Sequence, residues 1–152
     1  MSETDEKWMR VAIEAAERAR SMNEVPIGAC VVSESGELLA TGCNMTITNT
    51  DPTGHAEIVA IRAAAANIGN YRLNGATVYS TIEPCAMCAG ALVTARVRRL
   101  VFGSLDERFG GVVTHFGIGV GDELNHRIEV ESGVLEDDCR SLMQNFFRDR
   151  RK

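Results

Sequence analysis

The sequence predicts an α/β fold in three layers, a central mixed five-stranded sheet with helices on both faces. Three observations lead there. Segments with helical spacing of apolar residues open and close the chain; between them, short runs of β-branched and small residues alternate with Ala-rich stretches; and Gly, Pro and Asp punctuate the changeovers. No linker, repeat or low-complexity run breaks the 152 residues. One domain spanning residues 1–152 is therefore expected, large enough to bury most of its apolar surface around one core.

The first helix is predicted from about Asp5 to Met22, because Trp8, Met9, Val11, Ala12, Ala15, Ala16 and Ala19 share a face and good helix formers fill the gaps. "VPIGACVVS" and "ELLATGCNM" flank "ESG", whose Gly36 can take the positive φ of a tight turn, which predicts a β-hairpin. The loop "TITNTDPTG" follows, punctuated by Asp51, Pro52 and Gly54. "HAEIVAIRAAAANIG" reads as a helix ended by Gly69, and "ATVYSTI" as a strand. Pro84, a residue type favoured in a first helical turn, opens the next helix, "CAMCAGALVTARV". "RRLVFG" is the fourth strand and "HRIEVES" the fifth. Between them Gly103 to Gly121 holds six glycines, two aromatics (Phe109 and Phe116) and little periodicity, so a mobile loop or short irregular helix is expected. A helix from about Glu136 to Arg150 closes the chain, with Leu142, Met143, Phe146 and Phe147 on its apolar stripe.

Composition narrows the setting. Five cysteines are an odd count, the opening "MSETDEKW" is acidic, and no apolar run approaches the roughly 20 residues of a membrane span. A reducing cytoplasm and no membrane partner are expected. The net charge of −5 argues against indiscriminate nucleic-acid binding while leaving room for a local basic patch. Positive charge gathers at Arg96, Arg98 and Arg99, and again at Arg148, Arg150, Arg151 and Lys152. Each cluster reads equally well as a solvated face.

The chemistry concentrates in "HAE" and "PCAMC". A Cys-x-x-Cys pair alone serves redox and structural zinc sites alike. Here Cys85 and Cys88 follow Pro84 at a helix start, where three-residue spacing puts both sulfurs on one face and the positive helix end lowers thiol pKa values. His55 opens a helix too, so two helix N-termini can complete a His/Cys/Cys set around Zn²⁺. No fourth protein ligand is evident. Structural zinc sites close with four, whereas catalytic ones leave a position for water of pKa about 7. Glu57, in the first turn after His55, then reads as the carboxylate that takes a proton from that water and delivers it to a substrate nitrogen, although an acidic residue also simply stabilises a helix N-terminus.

"HAE" with "PCAMC" matches the H-x-E…P-C-x-x-C signature of the zinc nucleobase deaminases. With "EVPIGA", "GCNMTITNTDPTGHAEIVAIR", "NYRLNGATVYSTIEPCAMCAGA", "VFG", "NHRIEV" and "FFRDRR", nearly the whole chain resembles the bacterial tRNA adenosine deaminases of the cytidine/deoxycytidylate deaminase superfamily. The resemblance implies the cytidine-deaminase-like fold, Zn²⁺ held by His55, Cys85 and Cys88, and Glu57 as proton shuttle. It implies that Asn44 hydrogen-bonds the target base, that the backbone of Ala56 and Glu83 meets the base edge and leaving amino group, and that Asp106 touches neighbouring nucleotides. The implied reaction is hydrolysis of adenosine to inosine at the wobble position of a tRNA anticodon stem-loop, by a cytoplasmic homodimer, with the base flipped out of a single-stranded loop. One segment departs. Where the family has Asp-x-Lys-x-Gly followed by small residues and a Ser, this chain has "DERFGGVVTHF", which bears on substrate more than on chemistry.

Two competing readings follow. The acidic charge and altered loop suit a deaminase of a free base or nucleoside, such as guanine or cytosine. A non-catalytic RNA-binding subunit stapled by zinc has no use for Glu57. Among the remaining residues, Cys30, Cys43 and Cys139 read as small apolar core residues. His115 and His126 lack a partner at ligand spacing. Phe146 and Phe147, being adjacent on one helix, cannot both face the core, which leaves one available to stack on a base.

Overall fold

The computed structural model describes residues 2–150, so Arg151 and Lys152 of the basic tail lie outside the described residues. Helix α1 (Glu3–Ser21) begins two residues earlier than the periodicity suggests, because the Ser2 side chain accepts from the Asp5 N–H and Glu3, Asp5 and Glu6 occupy the positive end. Strands β1 (Gly28–Val32) and β2 (Leu38–Cys43) form the expected hairpin, with Gly36 at φ 92° in its turn. Helix α2 (Ala56–Ile68) stops at Gly69, which takes the left-handed conformation at φ 69°. Strand β3 (Thr77–Ile82), helix α3 (Ala86–Thr94), strand β4 (Arg99–Ser104), strand β5 (Glu129–Ser132) and helix α4 (Glu136–Arg150) complete the order.

The sheet runs β2-β1-β3-β4-β5, antiparallel through β2, β1 and β3 and parallel through β3, β4 and β5. Alternation along the strands separates two cores. Ala29, Val31, Val78, Leu100 and Phe102 face α2 and α3, meeting Ala56, Ala60, Ala64, Leu92 and Val93. Cys30, Val32, Tyr79 and Val101 face the other way, against Trp8, Met9 and Ala12 of α1 and Cys139 of α4. The observed architecture is the mixed five-stranded, three-layer fold expected from the sequence. All five cysteines are free, and Cys30, Cys43 and Cys139 are buried as expected. No helix among the described residues is long and apolar enough to cross a membrane.

Four local expectations change. Pro84 precedes the N-cap Cys85 and does not occupy the first turn of α3. That helix ends at Thr94, short of Val97, because Arg96 adopts φ 62° and swings the chain toward β4. Gly103 belongs to β4, where an added Cβ would lie 2.4 Å from the Cys139 sulfur; glycine there allows α4 to approach the sheet. The cluster Arg96, Arg98 and Arg99 serves the fold. Arg96 donates to the Asn125 carbonyl, Arg98 pairs with Glu129, and Arg99 holds the buried Asp5 carboxylate through two bonds of 2.8 Å while also reaching Glu131.

Candidate active site

The two helix starts predicted to converge do so beyond the start of β1 and the end of β3. His55 is the N-cap of α2 and Cys85 the N-cap of α3; neither side chain caps its own helix, so both point away from it. Cys88, one turn into α3, is fully buried. His55 Nδ1 lies 3.5 Å from the sulfur of Cys85 and 3.5 Å from that of Cys88, and the three ligand atoms fall within 4.8 Å of one another. Tetrahedral Zn–S and Zn–N bonds of about 2.3 and 2.0–2.1 Å place nitrogen and sulfur about 3.5–3.6 Å apart. The residues present thus fit Zn²⁺ in both donor chemistry and spacing. The bond from Cys88 and the nearby His55 hold the Cys85 thiol down to about 4, while that shared bond and burial push Cys88 up. No other group of three such side chains assembles among the described residues. His115 fastens the loop by donating from Nε2 to the Glu107 carbonyl at 2.9 Å, and His126 donates in the same way to the Val97 carbonyl at 2.8 Å.

Glu57 follows one residue into α2 and is buried, at 4% exposure. Burial pushes its carboxyl up to about 7, partly opposed by its own backbone N–H. It lines a cleft of about 550 Å³ together with His55, Cys85, Asn44, Glu83, Asp106, Phe109, Met143 and Phe147. Ala56 is fully buried and turns its side chain into the core, so only its backbone is available to the site. The aromatic pair on α4 divides as anticipated: Phe146 is buried, and Phe147 is exposed and lines the cleft.

Two buried carboxylates hold the rims of this cleft, and sequence reasoning did not assign either role. Glu24, fully buried, accepts from the backbone of Ile47 and Thr48 and from the hydroxyls of Thr46 and Thr48, fixing the loop that follows Asn44. Glu83, at 2% exposure, accepts from the backbone of Asp106, Val112, Val113 and Thr114 and from the Thr114 hydroxyl. Burial works against its charge, but these bonds win and hold its carboxyl below the usual range. The glycine-rich segment is therefore organised around one anion, with Gly110 bridged to Cys85 across the site. Asp106 spends one oxygen on the N–H groups of Arg108 and Phe109, which shapes the turn at the cleft mouth. The available signal was an acid placed directly beside an apolar strand, in "NEVPIG" and in "TIEPC".

With this geometry in hand, relatives identify the lineage. Residues 2–104 match the cytidine and deoxycytidylate deaminase zinc-binding region. The chain belongs to the cytidine and deoxycytidylate deaminase family. It is 45% identical over 151 residues to a tRNA-specific adenosine deaminase of Haemophilus influenzae, covering 99% of this chain and 87% of the relative. A structure from a study of A-to-I editing by tRNA:A34 deaminases at the wobble position of transfer RNA superposes with a TM-score of 0.86 at 38% identity, covering 90% of this chain and 98% of that one. A guanine deaminase from Nitrosomonas europaea superposes with a TM-score of 0.78 at 25% identity, covering 93% and 83%. Membership of this family, with its His/Cys/Cys group in place, makes the chain a zinc-dependent hydrolytic deaminase.

Proposed function

We propose that the chain converts adenosine to inosine at the wobble position of a tRNA anticodon loop. The carrying observation is Glu57, a buried carboxylate sharing one cleft with His55, Cys85 and Asn44, in a chain 45% identical to a tRNA-specific adenosine deaminase. His55, Cys85 and Cys88 would hold Zn²⁺, which when bound would lower the pKa of a water there to about 7. Glu57 carries two protons in turn, the first from the attacking water to the purine ring nitrogen and the second from the new C6 hydroxyl to the departing amino group. One C–O bond forms at C6, one C–N bond breaks there, and ammonia leaves. Burial favours this role, since a carboxyl raised to about 7 holds a proton between transfers and releases it. Asn44 orients the purine by its side-chain amide. The first-turn N–H of Ala56 has no intrahelical acceptor and is free for the base edge, and the Glu83 backbone meets the amino group. Asp106 faces the flanking nucleotides from the mouth.

The same reading places one zinc-dependent deaminase domain over residues 1–152, acting in the cytoplasm as a homodimer. An apolar groove of about 370 Å³ on α2 and α3, walled by Ile58, Ile61, Ala65 and Tyr71, supports a second copy as partner, to be checked by light scattering in solution. Substrate class is tested by offering the zinc-loaded protein an unmodified tRNA with an adenosine wobble base and, separately, free guanine and cytosine. Inosine at the wobble base is expected. Ammonia from a free base, with the tRNA unchanged, would replace this reading with the free-base one.

A further inference from the structure

We propose that the cavity beside the catalytic cleft, walled by Phe109, Phe116, Arg108, His115 and Met87, is a stacking subsite for the nucleobase adjacent to the one deaminated, with Phe109 as its platform. This rests on the single-stranded RNA substrate proposed above. The cavity, about 490 Å³, and the catalytic cleft share two walls, Cys85 and Phe109. Phe109 is thus the partition between them. A nucleotide whose base enters the cleft can send its chain over that partition, which brings the next base to the far side of the ring.

The side chains suit a base. Phe109 and Phe116 leave 61% and 82% of their surfaces exposed where they wall this cavity. The Arg108 guanidinium lies over the Phe109 ring at 5.1 Å from its centroid, bringing positive charge to the place a phosphodiester would pass. Stacking on an aromatic face accepts any base, because every base has a π face. Phe116 is held at φ 65°, a conformation costly for a bulky residue, and its ring lies 6.0 Å from that of His115.

The platform is also rigid. The Phe109 N–H donates to Asp106, the next residue is bridged to Cys85, and the Glu83 carboxylate gathers the backbone on both sides. A base therefore meets a ring whose backbone is already fixed, with little loop ordering left to do on binding.

The test uses anticodon stem-loop RNAs, intact or with an abasic site on either side of the target adenosine, and reads inosine formation. Phe109→Ala and Phe109→Leu are expected to lower kcat/KM on intact RNA by about 5- to 150-fold, the equivalent of about 1–3 kcal/mol of stacking, chiefly through KM. Phe109→Trp restores it. An abasic neighbour on one side should lower the unsubstituted protein to the same level and erase its advantage over Phe109→Ala. Because the ring is exposed, Tm should not move. Full activity in Phe109→Leu, or a Phe109→Ala defect undiminished on both abasic RNAs, overturns the subsite while leaving the deaminase reading intact. Absence of inosine with unsubstituted protein on intact RNA removes both.

Discussion

Replacing Glu83 by Gln tests whether one buried anion organises the mouth of the site. In the native arrangement one oxygen accepts three amides, from Val112, Val113 and Thr114 at 3.1, 2.8 and 2.9 Å, and the other accepts the Asp106 amide and the Thr114 hydroxyl. An amide side chain has a single acceptor oxygen. Its best placement keeps the three amides and turns its NH₂ toward Asp106, whose N–H is then orphaned, while the hydroxyl can rotate to accept. The variant loses one bond outright and the charge from the rest. Bonds to a charged group contribute about 1.5–3 kcal/mol, so the bond lost outright sets a lower bound of about 1.5–3 kcal/mol, to which the weakening of the others adds. For a chain of this length that lowers Tm by at least roughly 3–12 °C. Hydrogen exchange should quicken across residues 106–114 first, since those amides lose their acceptor. An unchanged Tm together with unchanged exchange in that segment would refute the assignment.

Three further outcomes follow from the same structure. Asp5→Asn leaves one neutral acceptor oxygen for Arg99 and the Tyr79 hydroxyl to share and removes the charge, and should cost about 2–3 kcal/mol, below the usual range for a broken buried pair because Arg99 is partly exposed. The Arg99 guanidinium holds the Asp5 carboxyl well below the usual range, so this stabilisation is full above about pH 4 and drains away in acid. Denaturation curves of the two proteins should converge as pH falls, and a gap that persists would contradict the pairing. Chelating zinc should abolish activity and lower Tm, because the ligands tie the starts of α2 and α3 together, with reloading restoring both. Melting that ignores verified metal loss would remove the structural half of that claim.

The site was readable where residue types constrain chemistry tightly. Cys85 and Cys88 share a face by their spacing, and the fold brings the start of α2, with His55, against them. Helix and strand identities were readable for a similar reason, since periodicity fixes which face is buried. Glycine misled. Gly103 was grouped with a loop, yet its lack of a Cβ serves close packing under Cys139, and a Cβ on Gly111 would strike the Ala86 backbone at 2.7 Å. Composition alone does not separate flexibility from close approach. Glu24 and Glu83 were hidden because their partners are backbone amides far along the chain, brought near only by the fold. The basic triplet Arg96, Arg98 and Arg99 illustrates the converse, since each guanidinium is claimed by a carbonyl or carboxylate invisible in local sequence.

The most direct test of the central claim is deamination of a wobble adenosine in water labelled with heavy oxygen, comparing the zinc-loaded protein with Glu57→Gln. The account predicts inosine carrying one solvent oxygen, and a rate lower by about 10²- to 10⁴-fold in the variant, with zinc content and Tm retained. Equal rates in the two proteins would contradict the assignment of Glu57, and inosine without solvent oxygen would contradict hydrolysis itself.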